Sequence, residues 1–215
     1  VDSLDFSNAR IVFQGVEGAY SQLAMKTYFG ENCNGYNVDS WKDAMEDIKC
    51  GKADYAVLPI ENSSAGIVSE NYDLLVEYDN YIVGEQIIRI DHSLMGLPGA
   101  KISDIRTVYS HPQALMQCSD FFDEHKDINQ VAVRNTAFSA KKVKDDGDIT
   151  QAGIASHISA DIYGLQVLES RIQNNKNNAT RFIIVSAKRV CRRDADRIST
   201  VSYTHLRAHE TSAHL

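Results

Sequence analysis

The sequence is poor in the residues that hold a chain together by disulfides or structural metals. Its four cysteines lie far apart and form no CxxC pair: Cys33, Cys50, Cys118 and Cys191. Neither a disulfide framework nor a zinc ribbon is therefore expected, and the spacing is typical of a reduced, cytoplasmic protein. The histidine-rich end of the chain, residues 205–214, has no carboxylate or cysteine frame, so we predict no metal site there.

Long apolar runs and an excess of positive charge are also lacking. No stretch approaches the roughly 20 apolar residues of a membrane span, and the first residues do not resemble a signal peptide, so we expect no membrane partner. The net charge is −7; residues from Lys188 onward contribute +3, which leaves about −10 on residues 1–187. An acidic body disfavours nucleic acid as a partner, whereas a small anion responds only to the local field of its pocket.

What the sequence does contain is an alternation of short apolar runs and amphipathic stretches. Apolar or β-branched runs predict strands at residues 10–14, 55–59, 81–90, 107–110, 129–133, 152–155 and 181–186. Helices are predicted at residues 21–29, 41–50, 71–76, 112–124, 136–144 and 157–163. Ser40, Thr136 and Ser156 are the expected N-caps, and Pro59 is expected to stop its strand.

Strands that alternate with helices indicate an α/β fold with mostly parallel sheets covered on both faces. We expect two α/β lobes around a cleft, with a boundary near the Gly/Pro cluster at residues 96–99. The first lobe would span residues 1–92 and the second 93–172. The chain would return to the first lobe at 173–187, and residues 188–215 would form a disordered tail.

Two polar segments in the first half of the chain follow predicted strands. Residues 15–21 (GVEGAYS) place glycines at a helix start, where backbone N–H groups attract anions. Their spacing is neither GxGxxG nor GxxxxGK, and a tight turn explains them equally well. Residues 59–66 (PIENSSAG) combine a carboxylate, an amide and two hydroxyls; the alternative is a helix cap made by Ser63 or Ser64.

Two further polar segments follow strands in the second half. Residues 110–117 (SHPQALMQ) include His111, which is either a general acid or base or a structural histidine before a helix. Residues 178–182 (NATRF) enter an apolar strand, and alternatively form a plain loop with a surface arginine. Open parallel sheets bind ligands beyond the carboxyl ends of their strands, so these segments are the candidates for a site.

Together the four segments resemble prephenate dehydratases. The family's glycine-Tyr-Ser loop is matched at residues 15–21, its P-I-E-N-S block and following glycine at 59–66, S-H-P-Q at 110–113 and N-x-T-R-F at 178–182. Each motif is weak alone, but four in the same order between about residues 10 and 186 are specific.

The resemblance implies a cytoplasmic enzyme that converts prephenate to phenylpyruvate on the route to phenylalanine, without cofactor or metal. It also implies two lobes similar to type II periplasmic binding proteins, and a homodimer. Two alternatives stay open: arogenate dehydratase, which acts on the amino analogue, and a non-catalytic module that binds a small anion on the same fold.

Carried over residue by residue, the resemblance assigns a catalytic site. Thr180 would donate a hydrogen bond or proton to the leaving hydroxyl, and Arg181 would clamp a substrate carboxylate. Asn62, Ser110 and Gln117 would complete the catalytic set as neutral donors. Further substrate-binding residues are expected at Gly18, Ala19, Tyr20, Ser21, Glu61, Ser63, His111 and Phe182.

Two features depart from the family pattern. The E-S-R-P signature of its phenylalanine-binding ACT domain is missing, so we expect no inhibition of this chain by phenylalanine. Residues after about Lys188 match nothing in the family. The glycine loop resembles versions that follow a chorismate mutase domain, which suggests an excised part of such a fusion.

Overall fold

A computed structural model describes Phe6 and residues 8–190. The expected disordered tail, residues 188–215, therefore lies almost entirely outside the described residues. In the described part of the chain the strands form two sheets, of six and five strands. We call each sheet with its helices a lobe.

The first sheet has five main strands: β1 (Arg10–Gln14), β2 (Asn34–Val38), β3 (Tyr55–Asn62), β5 (Tyr81–Arg89) and β11 (Ala179–Ser186). Their order is β2-β1-β3-β11-β5, and a short β4 (Gly66–Ile67) pairs with β3. β1 pairs in parallel with β2 and β3, whereas β11 is antiparallel to both β3 and β5. Four main strands therefore run in one direction, and β11 and the short β4 run against them.

The second sheet contains β6 (Ser93–Gly96), β7 (Thr107–Ser110), β8 (Asn129–Ala132), β9 (Gln151–Ala155) and β10 (Gln166–Glu169). In the order β10-β6-β9-β7-β8, β6 is antiparallel to both neighbours and the other four share a direction. The predicted α/β fold with two lobes of mostly parallel strands is confirmed.

Helices cover both faces of the sheets. They are α1 (Tyr20–Phe29), α2 (Trp41–Lys49) and α3 (Ser69–Glu77) in the first lobe, and α4 (Pro112–Gln117), α5 (Ser119–Glu124), α6 (Thr136–Asp146) and α7 (His157–Tyr163) in the second. Side chains alternate across β1: Ile11 and Phe13 pack with Met25 of α1, whereas Val12 packs with Met45 of α2. No helix in the described ranges is long and apolar enough to cross a membrane.

The strand predicted to stop at Pro59 instead continues to Asn62. Arg181 pairs with Glu61 and Phe182 with Pro59, so Ile60 is an extra residue in β3. Such a bulge tolerates a proline, which lacks the N–H of a regular ladder. The extension brings Asn62 directly opposite Thr180.

Several helix predictions also need correction. The helix predicted for residues 112–124 breaks at Cys118, whose φ of −111° and ψ of 24° are not helical. Asn135, not Thr136, caps α6, accepting a hydrogen bond from the Phe138 amide at 2.7 Å. Ser156 precedes α7 but makes no capping hydrogen bond. The pattern also missed β2, β6 and β10, which are short or lack a continuous apolar run.

The predicted cap at Ser40 offers a test of local stability. Its hydroxyl accepts from the Asp43 amide at 3.1 Å, and the Asp43 carboxylate accepts from the Ser40 amide at 3.2 Å. We expect Ser40→Ala to lower the free energy of unfolding by about 1 kcal/mol, because first-turn amides lose their partner. Urea denaturation measures the change, with the exposed Ser103→Ala as control. Equal losses in both variants would contradict a capping role.

Candidate active site

A cleft of about 230 Å³ lies where the two lobes meet. The first lobe contributes Gly15, Tyr20, Asn62 and Thr180, and the second contributes residues that include His111 and Gln117. Among the described residues that line it, none is Asp, Glu, Lys or Arg. A ligand here would meet hydroxyls, amides and imidazoles.

A larger cavity of about 550 Å³ lies at the opposite end of the first sheet, where β1 and β3 begin. Its charged side chains include Arg10 and Asp54, which bond to each other at 3.1 Å. It reaches Val190, beyond which the chain is not described. None of the predicted site residues lines it, so we place the candidate site in the interlobe cleft.

The Asn62 amide holds the Thr180 hydroxyl. Asn62 Nδ2 donates to Thr180 Oγ1 at 2.8 Å, and Asn62 Oδ1 accepts from the amides of Ser64 and Ala65 at 2.9 and 2.8 Å. These backbone donors fix the amide's orientation. Since Thr180 Oγ1 accepts from Asn62, its own proton is available to a ligand. Thr180 is 8% exposed and lines the cleft.

The hydrogen bonds continue from Asn62 into the second lobe. Asn62 Nδ2 also donates to Asn178 Oδ1 at 2.9 Å, and Asn178 Nδ2 donates to Gln117 Oε1 at 3.2 Å. Asn178 belongs to the N-x-T-R-F block, but no role was predicted for it. Because the Gln117 carbonyl is engaged, its amino group is the end available to a ligand.

His92 joins this network, although it was not among the predicted site residues. Its ring lies between Gln117 Oε1, 2.9 Å from Nε2, and the Tyr20 hydroxyl, 3.3 Å from Nδ1. The His92 amide donates to Gln173 Oε1 at 3.0 Å, so the residue lies where the chain passes between the lobes. Its position just beyond a predicted strand, residues 81–90, was the only sequence signal. Burial lowers the pKa of His92 below its ordinary value.

Part of the glycine loop, residues 15–21, lines the cleft, and another part of it contacts the second lobe. Gly15, Ala19, Tyr20 and Ser21 line the cleft. Gly18 does not: its carbonyl accepts from Ser156 and Ser159 of the second lobe at 3.0 and 3.2 Å. Its φ is +87°, and a Cβ there would lie 2.6 Å from Ser159 Oγ, so only glycine fits.

Two predicted serines have structural partners. Ser110 is fully buried and donates to the Ile154 carbonyl at 2.7 Å, which turns its hydroxyl into the second sheet instead of the cleft. Ser63 accepts from the Ala179 amide at 2.9 Å and donates to Asn178 Oδ1 at 3.3 Å. It therefore holds the segment that enters β11, and it is neither a helix cap nor a cleft residue.

Arg181, the expected carboxylate clamp, is not among the residues that line the cleft and lies on the other side of β11 from it. Adjacent strand residues point to opposite faces, and Thr180 and Phe182 are the ones that line the cleft. Arg181 Nε donates to Glu85 at 3.0 Å, and its Nη1 lies 3.8 Å from the Glu61 carboxylate. Glu61 is likewise outside the cleft lining.

His111 is the N-cap of α4, where its Nδ1 accepts from the Gln113 amide at 3.2 Å. The neutral ring then carries its proton on Nε2 and can donate into the cleft. Burial lowers the pKa of His111, so the neutral form prevails near pH 7. The described residues contain no group of three or more His, Cys, Asp or Glu side chains that could hold a metal ion.

Helix starts supply the positive potential that the lining side chains lack. α1 begins at Tyr20 and α6 at Thr136, and both residues line the cleft. No side chain caps the start of α1, whose first-turn N–H groups have no partner within the helix. Such amides attract anions through their partial positive charge.

The buried His92 and the half-buried His111 predict a loss of stability in mild acid. Because the pKa values of His92 and His111 are lowered in the fold, the unfolded chain binds protons more readily. The free energy of unfolding should therefore decrease as pH falls below about 6.5. Urea denaturation at pH 7.5 and 5.5 tests this: His92→Gln should reduce the decrease, whereas exposed His157→Gln should not. An unchanged decrease in His92→Gln would contradict the assignment.

The chain is similar to dehydratases over most of its length. Residues 11–190 match the family model for prephenate dehydratase. Identity is 41% over 182 residues to arogenate dehydratase/prephenate dehydratase 1, chloroplastic, of Arabidopsis thaliana, covering 85% of this chain and 46% of that protein. Identity to the bifunctional chorismate mutase/prephenate dehydratase of Escherichia coli K12 is 36% over 186 residues, which cover 85% of this chain and 48% of that protein. The chain thus spans about half the length of these relatives.

Solved structures share the fold. The prephenate dehydratase of Arthrobacter aurescens, crystallised with L-Phe, superposes with a TM-score of 0.79 at 29% identity, covering 86% of this chain and 63% of that one. GqqA, described as a quorum quenching acylase, superposes with a TM-score of 0.76 at 32% identity, and the match covers 84% of this chain and 65% of that one. Because the family model spans nearly the whole described chain, including all four motif segments, the chain belongs to the prephenate dehydratase family.

Proposed function

We propose that this chain is a carbon–oxygen lyase that converts prephenate to phenylpyruvate, carbon dioxide and water. The observation that carries the proposal is the Thr180 hydroxyl, which accepts from Asn62 at 2.8 Å and offers its proton to a cleft whose described lining contains no Asp, Glu, Lys or Arg. The family and the relatives' names support this reaction.

The reaction asks little of the protein beyond orientation and assistance to the leaving group. Loss of the ring carboxylate and the ring hydroxyl yields an aromatic ring, which accepts the electrons, so no cofactor is required. Thr180 donates its proton to the departing hydroxyl, which leaves as water, and Thr180 Oγ1 then regains a proton from solvent. A free threonine is too weak an acid alone. The bond from Asn62 stabilises negative charge developing on Thr180 Oγ1 and so polarises the O–H bond.

Neutral donors and helix starts recognise the substrate's two carboxylates. The first residues of α1 and α6, Tyr20 and Thr136, line the cleft, and the Gln117 amino group and the His111 Nε2 donor come from the second lobe. This assignment replaces the expected clamp by Arg181, whose guanidinium is paired with Glu85. A site of fixed dipoles needs no reorganisation as charge moves during the reaction.

We propose prephenate, not arogenate, as the substrate. Arogenate carries an ammonium group, which requires a carboxylate or several acceptors when buried. None of the described residues that line the cleft is Asp or Glu. The non-catalytic alternative, a module that only binds a small anion, does not explain why Asn62 and Thr180 are held together at the carboxyl-terminal end of β3.

Incubation with prephenate, followed by the absorbance of phenylpyruvate in alkali, tests the proposed function. We expect Thr180→Ala to fold normally and to lower kcat by about 10²–10⁴-fold, because the donor to the leaving group is lost. Thr180→Ser keeps the hydroxyl and should retain far more activity.

Arogenate and a simple N-acyl amide are tested beside prephenate as alternative substrates. The amide is included because GqqA is described as an acylase. Turnover of either in preference to prephenate, or activity of Thr180→Ala within about threefold of the unaltered chain, would overturn the assignment. Binding of prephenate without any turnover would favour the binding-module alternative.

Arg181→Lys separates an ion pair outside the cleft from a substrate clamp. Lysine keeps the charge but not the forked geometry that suits a carboxylate. Because Arg181 faces Glu85 and Glu61, we expect an unchanged KM for prephenate and at most a small loss of stability. A KM raised tenfold or more would restore Arg181 to the substrate site.

Assembly and location belong to the same proposal. We propose a cytoplasmic homodimer, since Cys33, Cys50 and Cys118 are free thiols and β5 is an edge strand of the first sheet. β5 exposes Ile87, which is 57% accessible, and an edge strand that pairs on one side only among the described residues is a surface on which a second copy can pair. A chorismate mutase domain joined to the chain would agree with the Escherichia coli relative.

A further inference from the structure

We infer that His92 is a positioning residue, which orients the Gln117 amide so that its amino group faces the cleft. The inference rests on the proposed function, because it assigns to His92 an effect on turnover that acts through a residue of that site. It is carried by the directions of the hydrogen bonds that link Asn62 on β3 to Asn178, Gln117 and His92. His92 lies at the hinge, by which we mean the place where the chain passes from the first lobe to the second.

The direction of this chain is set at Asn62. Two backbone amides, of Ser64 and Ala65, occupy Asn62 Oδ1, so its amino group must point to Thr180 and Asn178. Asn178 therefore accepts through Oδ1 and donates through Nδ2 to Gln117 Oε1. A flip of any of these amides would bring two donors or two acceptors together.

The same logic fixes the tautomer of His92. Gln117 Oε1 is an acceptor, so the His92 nitrogen 2.9 Å away must be the donor, and the ring proton lies on Nε2. Nδ1 is then unprotonated and lies 3.3 Å from the Tyr20 hydroxyl, whose single proton is shared between Nδ1 and the nearer Asp91 carbonyl at 2.8 Å. His92 is 3% exposed, so water cannot readily take the place of its donor.

Removal of this donor should free the Gln117 amide. Gln117 Oε1 would keep only its 3.2 Å bond from Asn178, and rotation of the amide would then present an oxygen to an anionic substrate. The other hinge contacts of His92 use its backbone: its amide donates to Gln173, and its carbonyl accepts from the Ile172 amide at 2.9 Å. Side-chain substitution therefore tests the imidazole separately from the hinge.

Two variants distinguish the role of the donor from that of the ring. His92→Gln places an amide donor near the position of Nε2, and His92→Leu fills similar space without a donor. We expect kcat/KM for prephenate to fall about tenfold in His92→Leu, as for the loss of one buried hydrogen bond, and to stay within about threefold in His92→Gln. His125→Gln is the control, because His125 bonds to the Phe121 carbonyl and lies outside the cleft.

A double-mutant cycle shows whether His92 acts through Gln117. In a Gln117→Ala background, His92→Leu should cause little further loss, because the group it orients is absent. Additive losses, or a His92→Gln variant as weak as His92→Leu, would overturn the inference.

Nitrogen NMR of the unaltered chain gives a readout that needs no turnover. The His92 imidazole resonances are assigned as those that disappear in His92→Gln. We expect them to show a neutral ring protonated on Nε2. A ring protonated on Nδ1 would overturn the inference. If the unaltered chain converts no prephenate, the proposed function and the effect of His92 on turnover both fail, while the tautomer still decides whether His92 orients Gln117.

Discussion

The pairing of β3 with β11 is the constraint on which the candidate site depends. β11 returns to the first sheet after the chain has built the second lobe, and it inserts antiparallel between β3 and β5. Its register, with one bulged residue in β3, sets Thr180 opposite Asn62, 118 positions apart in sequence. A one-residue slip would turn Thr180 to the face that Arg181 now occupies.

The absence of ionised side chains from the described lining of the cleft follows from the cost of burial. A lone charge in a cleft between two lobes loses solvation and must be paired. The fold places its arginine on the opposite face of β11, with Glu85 and Glu61 beside it. Neutral amides and helix starts remain, and they can hold an anion without burying a permanent cation.

Two kinds of contact join the lobes around the cleft. The glycine loop touches α7 through the Gly18 carbonyl and through the Glu17 carbonyl, which accepts from Tyr163 at 3.0 Å. Where the chain passes between the lobes, the buried His92 and Asn178 and the half-buried Gln117 form a polar network. Buried networks of this kind fix side-chain orientation when every member has a partner. The position of the second-lobe donors therefore depends on first-lobe residues.

The sequence by itself determined the strand–helix alternation, the two-lobed α/β class and the segments at strand ends, because these depend on local periodicity and motif order. It did not determine which side chains face the cleft. Adjacent strand residues face opposite ways, so Thr180 and Arg181 could not both line it, and only packing decided between them. Likewise, Ser110 turned into its sheet, and Pro59 was tolerated at a bulge that the β11 register creates. The roles of His92 and Asn178 arise from contacts between distant segments, which local sequence patterns do not encode.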